Sequence, residues 1–177
     1  METAIVSIIC IALIVVGGMS MSKGFLSSVD TTTAGLETIS DKSEEIMRTD
    51  LATLNAGQSA ADTLEVALRN NGQTKLASFA NWDFIIQYHD MVGGYQVKWL
   101  PYTDGTLGNN EWKKQGIYLD AETKTAEAFE PGILNPGEEM IVEAKLIPFV
   151  AENTTNLVVI STANGIPASI GFTGYSP

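Results

Sequence analysis

A long hydrophobic N-terminal α-helix followed by an immunoglobulin-like antiparallel β-sandwich, an α+β layout, is the architecture this sequence predicts. Three observations predict it. Residues Thr3 to Ser22 carry no charge. Apolar and polar residues then recur at steps of three and four as far as Asp50. Beyond Asn55-Ala56-Gly57, short β-rich runs alternate with Gly, Asn and Pro turn signals. The expected division is a helix over 1–55 and a β domain over 56–177.

The uncharged run holds Ile5, Val6, Ile8, Ile9, Ile11, Leu13, Ile14, Val15 and Val16. Twenty helical residues rise about 30 Å, the thickness of a bilayer's hydrocarbon core. The apolar residues surround the axis, so such a helix is buried on all sides, in lipid or among other helices. Three readings compete: a cleaved secretory signal, a permanent membrane anchor, and a helix that sits in the membrane first and among sister helices later. The first lacks a basic flank, because only Glu2 precedes the run and Lys23 follows it. Each large aliphatic side chain gains about 1.5–3 kcal/mol on leaving water, so this helix cannot stay exposed.

The pattern then becomes amphipathic. Phe25, Val29, Thr32, Leu36, Ile39, Ser43, Ile46 and Asp50 mark a broken stripe, with Asp30, Glu37, Lys42, Glu44, Glu45 and Arg48 between them. No proline interrupts Met1 to Leu100, so one helix is expected from about Ala4 to about Leu51, roughly 70 Å long. Gly17, Gly18, Gly24 and Gly35 each weaken it by about 1 kcal/mol relative to Ala. They permit bending or close packing, and Gly18-xxx-Ser22 and Ser20-xxx-Gly24 have small-xxx-small spacing.

Strands are expected near Thr63–Leu68, Trp82–Tyr88, Tyr95–Leu100, Gly116–Leu119, Glu139–Ile147, Asn156–Thr162 and Ala168–Thr173. In the fifth, Val142, Ala144 and Leu146 share one face while Glu143 and Lys145 share the other, as in a half-exposed antiparallel sheet. Seven such strands suit a sandwich. Trp82, Phe84, Tyr95, Trp99 and Phe172 are expected in its core or in inter-strand contacts. The lone cysteine, Cys10, excludes an internal disulfide, so the β domain depends on its own core, which about 120 residues suffice to build.

The net charge of −11 would repel polyanions, so nucleic acid is not an expected partner; the acidic surface suits solubility or cation binding in salty surroundings. His89-Asp90 lacks a nucleophile motif and reads as a solvent-facing strand end. No CxxC, HExxH, P-loop or GxGxxG occurs, so no catalytic residue and no cofactor are expected. Asp104, Asn109, Asn110 and Glu111 form an oxygen-rich loop without EF-hand spacing, a weak Ca²⁺ candidate beside the simpler reading of a hydrophilic loop. Asn153-Thr154-Thr155 is the one N-x-[ST] sequon and the glycosylation candidate.

The order of an Ile/Val-rich uncharged helix, an amphipathic extension and a β-sandwich resembles the archaellins, subunits of the archaeal motility filament whose N-terminal helix is akin to that of type IV pilins. Gly132-Ile133-Leu134-Asn135-Pro136-Gly137-Glu138 and Thr162-Ala163-Asn164-Gly165-Ile166 look like stretches shared with archaellins and archaellar stator proteins. The resemblance spans nearly the whole chain. Ile5 stands where type IV pilins carry Glu, as in the archaellin branch, while Glu2 departs from the pattern.

The resemblance implies self-polymerisation into an extracellular filament for swimming motility. Its core would be built by Ile5, Ile8, Ile9, Leu13, Val16, Phe25, Leu36 and Ile39, with the β domains as sheath. It implies membrane insertion before assembly, a leader peptidase, and motor and assembly-platform proteins as partners. Met1 is then expected to be the first mature residue, exposed by removal of a basic leader. A membrane-anchored archaellar stator, or an adhesive pilin, is the alternative.

Overall fold

The computed structural model describes residues 2–127 and 129–176. Met1 and the Glu2 side chain, on which two of the expectations above fall, lie outside the description. The chain divides into two compact units between Glu44 and Glu45.

The first unit is the body of one helix, α1, spanning Glu2–Arg48. Four of its hydroxyls close on their own backbone. The hydroxyls of Ser7, Thr31, Thr32 and Thr38 donate to the carbonyls of Thr3, Ser27, Ser28 and Ala34, four residues back, at 2.8–2.9 Å. Such bonds satisfy the hydroxyl without water, which an apolar environment requires.

The second unit begins with the last turn of α1. The helix ends at Arg48, three residues before the expected end. Three hydrogen bonds stop it. The Arg48 carbonyl accepts the Gln73 amide at 2.7 Å, and the Asp50 carbonyl accepts the amides of Asn71 and Gly72 at 2.9 and 3.0 Å. Leu51 then enters the sandwich core, only 4% exposed.

Among the described residues nine strands follow: β1 (Leu51–Ala60), β2 (Thr63–Asn70), β3 (Asp83–His89), β4 (Tyr95–Leu100), β5 (Glu111–Asp120), β6 (Thr125–Ala126), β7 (Glu139–Lys145), β8 (Thr155–Ser161) and β9 (Pro167–Thr173). They form two antiparallel sheets, ordered β1-β2-β7-β5-β6 and β4-β3-β8-β9. The expected sandwich is therefore the observed one. Two strands differ from expectation. β1 runs through Asn55-Ala56-Gly57, expected as a break, and so lies across the expected division at 55/56. It pairs with all of β2, with irregularities at Thr53/Asn55 and Gln58/Ala60. The Thr53 hydroxyl also donates to the Ser169 carbonyl of β9 at 3.1 Å. Pairing on one side and this link on the other override a composition with little β propensity. The two-residue β6 was not expected either.

The core sits between the sheets. Cross-strand pairs Leu64–Ala144, Val66–Val142 and Leu68–Met140 line one inner face. Phe84–Ile160 and Ile86–Val158 line the other. All ten side chains are fully buried. The alternation read in β7 holds: Glu143 and Lys145 face outward and pair with Lys113 at 3.2 Å and Asp62 at 3.4 Å. Trp82, Phe84 and Phe172 are buried as expected. Trp99 and Tyr95 are half-exposed and make inter-strand contacts, donating to Asp83 Oδ1 at 2.8 Å and Gln87 Oε1 at 2.9 Å.

Candidate assembly interface

The contrast in burial marks out a candidate surface. Val66 and Phe84 are sealed from solvent, whereas Ile5, Ile8, Ile9, Leu13, Val16, Phe25, Leu36 and Ile39 are each between 54% and 70% exposed. All eight lie on α1, which is long and apolar enough to cross a membrane. The eight do not meet one another in a core of their own. The chain presents them outward, around the axis in the first half and along one side in the second.

The charged residues of the second half show a regularity that the sequence reading missed. Lys23, Asp30, Glu37 and Glu44 are each seven positions apart. Seven residues fall within about 20° of two full turns, so these groups form one row along the helix. Phe25, Val29, Leu36 and Ile39 lie about 100–160° around the axis from the nearest charges of that row. The seven-residue spacing was the signal that finds it.

The four helix glycines share a property. A Cβ placed on Gly17, Gly18, Gly24 or Gly35 would meet nothing within 4 Å. No contact within the described chain calls for glycine there, although each costs the helix about 1 kcal/mol.

In the β unit the two motif stretches become turns, the first against Asn70 and Leu76 and the second against Thr49. In the first, Leu134 bridges to Leu76, and the Gly137 amide donates to the Asn70 carbonyl at 2.7 Å. The Glu138 carboxylate accepts the Asn135 amide at 2.9 Å, and Gly137 takes a φ of +87°, where glycine is favoured. The second is the β8–β9 turn, where Asn164 Nδ2 donates to Thr49 Oγ1 at 2.8 Å. The fully buried Asn70 joins the first turn by donating to the carbonyls of Thr74 and Leu134.

The remaining candidates are placed as follows. His89 ends β3, exposed, with its ring 5.2 Å from that of Tyr95. Asn110 Oδ1 accepts the Lys98 ammonium at 3.2 Å and the Ile147 amide at 3.1 Å, and Glu111 Oε2 accepts the Gly108 amide at 2.9 Å. Asp104 and Asn109 are exposed on the same connection. Those oxygens brace the loop. Among the described residues, no group of three or more His, Cys, Asp or Glu side chains could hold a metal ion. Asn153 is exposed in a left-handed turn at φ +54°, just before β8.

No family model matches the sequence, nor does any curated protein. Solved structures do match. A chain of the archaeal flagellum of Methanospirillum hungatei strain JF1 superposes with a TM-score of 0.60 at 12% identity, covering 94% of this chain and 90% of that one. The archaeal flagellin FlaB1 of Methanocaldococcus jannaschii gives 0.52 at 15%, covering 73% and 93%. The archaellum periplasmic stator protein FlaG of Sulfolobus acidocaldarius gives 0.51 at 19%, covering 70% and 99%. The expected likeness to archaellins is met at the level of fold: this chain has the fold that archaeal flagellins share with an archaellar stator protein.

Proposed function

We propose that this chain is the repeating subunit of an archaellum-like extracellular filament, polymerising through α1 and serving swimming motility. The carrying observation is an apolar helix with none of its most hydrophobic stretch covered by its own chain. Nine large aliphatic side chains within residues 5–16 find shelter only in lipid or among copies of the same helix. The match to a flagellar chain over 94% of the present chain, helix included, supports the second. So do glycines whose missing side chains leave room only for something outside the chain.

In this reading the chain enters the membrane first, after a leader peptidase has acted, and passes to sister helices with the help of motor and assembly-platform proteins. Ile5, Ile8, Ile9, Leu13, Val16, Phe25, Leu36 and Ile39 form the buried core, and the β unit forms the sheath. The exposed Asn153 carries a glycan, which a peptide map of the purified protein would reveal.

The test is electron microscopy of appendages sheared from the source cells, with mass spectrometry of their main band. Filaments built chiefly of this chain support the reading. A chain found only in the membrane fraction, at a few copies per appendage, refutes it. That outcome favours a membrane-anchored stator, a reading supported by the likeness of 70% of this chain to nearly all of a FlaG chain.

A further inference from the structure

We infer that Lys23 sets the axial register between neighbouring copies by pairing with Asp30 or Glu37 of the next helix. The inference rests on the filament reading above. Lys23 is the first charge after twenty uncharged residues. Its neighbours at helical spacing are Met19, Ser20, Leu26 and Ser27, none of which is acidic. The next two charges of the row likewise have no opposite charge at that spacing. Asp30 is flanked at three and four residues by Leu26, Ser27, Thr33 and Ala34, and Glu37 by Thr33, Ala34, Ser40 and Asp41. Among the described residues, none of the three has an ion-pair partner.

Each copy therefore presents one lone cation beside an apolar segment, and two lone carboxylates one and two heptads further along. Sheltering the apolar segment brings Lys23 into a poorly solvated setting, where an unpaired charge is strongly disfavoured. The copy's own Asp30 is about 10.5 Å further along the same helix, beyond ordinary side-chain pairing. A parallel neighbour displaced by about 10.5 Å brings its Asp30 level with Lys23, and one displaced by about 21 Å brings its Glu37 level. The apolar stripe of Phe25, Val29, Leu36 and Ile39 tolerates many displacements, because hydrophobic contact is non-directional. The single cation does not.

The test is charge reversal in the full chain, produced in source cells from which the unaltered gene has been removed. The fraction in sheared filaments and the fraction retained in membranes are both measured. Lys23→Glu is expected to cut the filament fraction by roughly tenfold or more, Lys23→Arg to preserve it, and Lys23→Glu with Asp30→Lys, or with Glu37→Lys, to restore it. The double variant that restores assembly names the partner and the displacement. Normal filaments from Lys23→Glu, or no recovery in either double variant, would overturn the inference. So would a matching loss of Lys23→Glu from membranes, which would assign Lys23 to the lipid surface. If the unaltered chain forms no filament, the proposed function itself falls before any variant is compared.

Discussion

The side-chain amide of Asn164 donates to the hydroxyl of Thr49 at 2.8 Å, joining the β8–β9 turn to the residue after α1 across 115 positions of sequence. Thr49 is 7% exposed and its hydroxyl also donates to the Glu45 carbonyl at 2.8 Å. Asn164→Ala removes the amide and is expected to cost about 1–2 kcal/mol, lowering the Tm by a few degrees. Thr49→Ser keeps the oxygen and should sit near the unaltered protein. Thermal unfolding of the detergent-solubilised chain, followed by near-ultraviolet circular dichroism, compares the two.

Gly72 stands where the backbone after the helix crosses the β2 exit. A Cβ there would lie 2.5 Å from the Asp50 nitrogen and 2.6 Å from the Arg48 oxygen, both main-chain atoms that cannot rotate away. Gly72→Ala is expected to destabilise the β unit by about 1–3 kcal/mol. Gly57→Ala, in β1, meets nothing within 4 Å and is the matched control, expected within about 0.5 kcal/mol of the parent. Urea midpoints of the three proteins decide the matter.

Asp90 closes the β3–β4 turn. Its carboxylate accepts the amides of Gly94 at 2.7 Å and Val92 at 3.0 Å, and the Gln96 amide at 2.8 Å. The Gly94 bond leads in holding its pKa below the ordinary carboxylate value. A lowered pKa favours the charged form in the folded state. The stability it adds is present above the unfolded value of about 3.9 and is lost as pH falls through the folded one. Asp90→Asn should therefore flatten the acid limb of a stability–pH curve measured from pH 7 to pH 2. A parallel limb in the variant would contradict this.

Tyr88 gives the alkaline counterpart. Burial, aided by the charge of Asp90, pushes its phenol up to about 12, and its hydroxyl donates to the Pro148 carbonyl at 2.9 Å. A raised pKa means that its stabilising contribution is present below the unfolded value of about 10 and is lost as pH rises through the folded one. In a titration of phenolate absorbance, Tyr88→Phe should remove the step nearest pH 12 and leave the earlier ones. The same variant should cost about 1 kcal/mol at neutral pH, from the lost hydrogen bond.

Ile9 tests the helix directly. Ile9→Asp places a carboxylate in the stretch that must be sheltered, at a cost on the order of several kcal/mol per subunit. Filaments should disappear while the near-ultraviolet signal of the β unit, whose Trp82 and Trp112 are buried in its core, stays unchanged. Normal filaments from this variant would refute assembly through α1.

The sequence displayed most of the architecture, for reasons that differ from element to element. α1 was legible because twenty uncharged residues admit few alternatives. β7 was legible because Val142, Ala144 and Leu146 alternate with charges. β1 was hidden, because Leu-Ala-Thr-Leu-Asn-Ala-Gly-Gln-Ser-Ala has little β propensity and becomes a strand only by pairing with the adjacent β2 and by its link to β9, 116 positions further on. The Asn164–Thr49 link was hidden because no local pattern pairs residues that distant. The row of Lys23, Asp30, Glu37 and Glu44 was present in plain spacing, but a search for apolar stripes passes over it.

The hydroxyls of Ser7, Thr31, Thr32 and Thr38 have a mechanical consequence. Each is already closed on its own turn of helix. In a rod bundled from such helices these four hydroxyls would add no cross-bracing, which leaves the Lys23 pairing inferred above as the polar contact that resists lengthwise sliding. Bending such a rod would then cost mainly the re-seating of apolar contacts around that pairing.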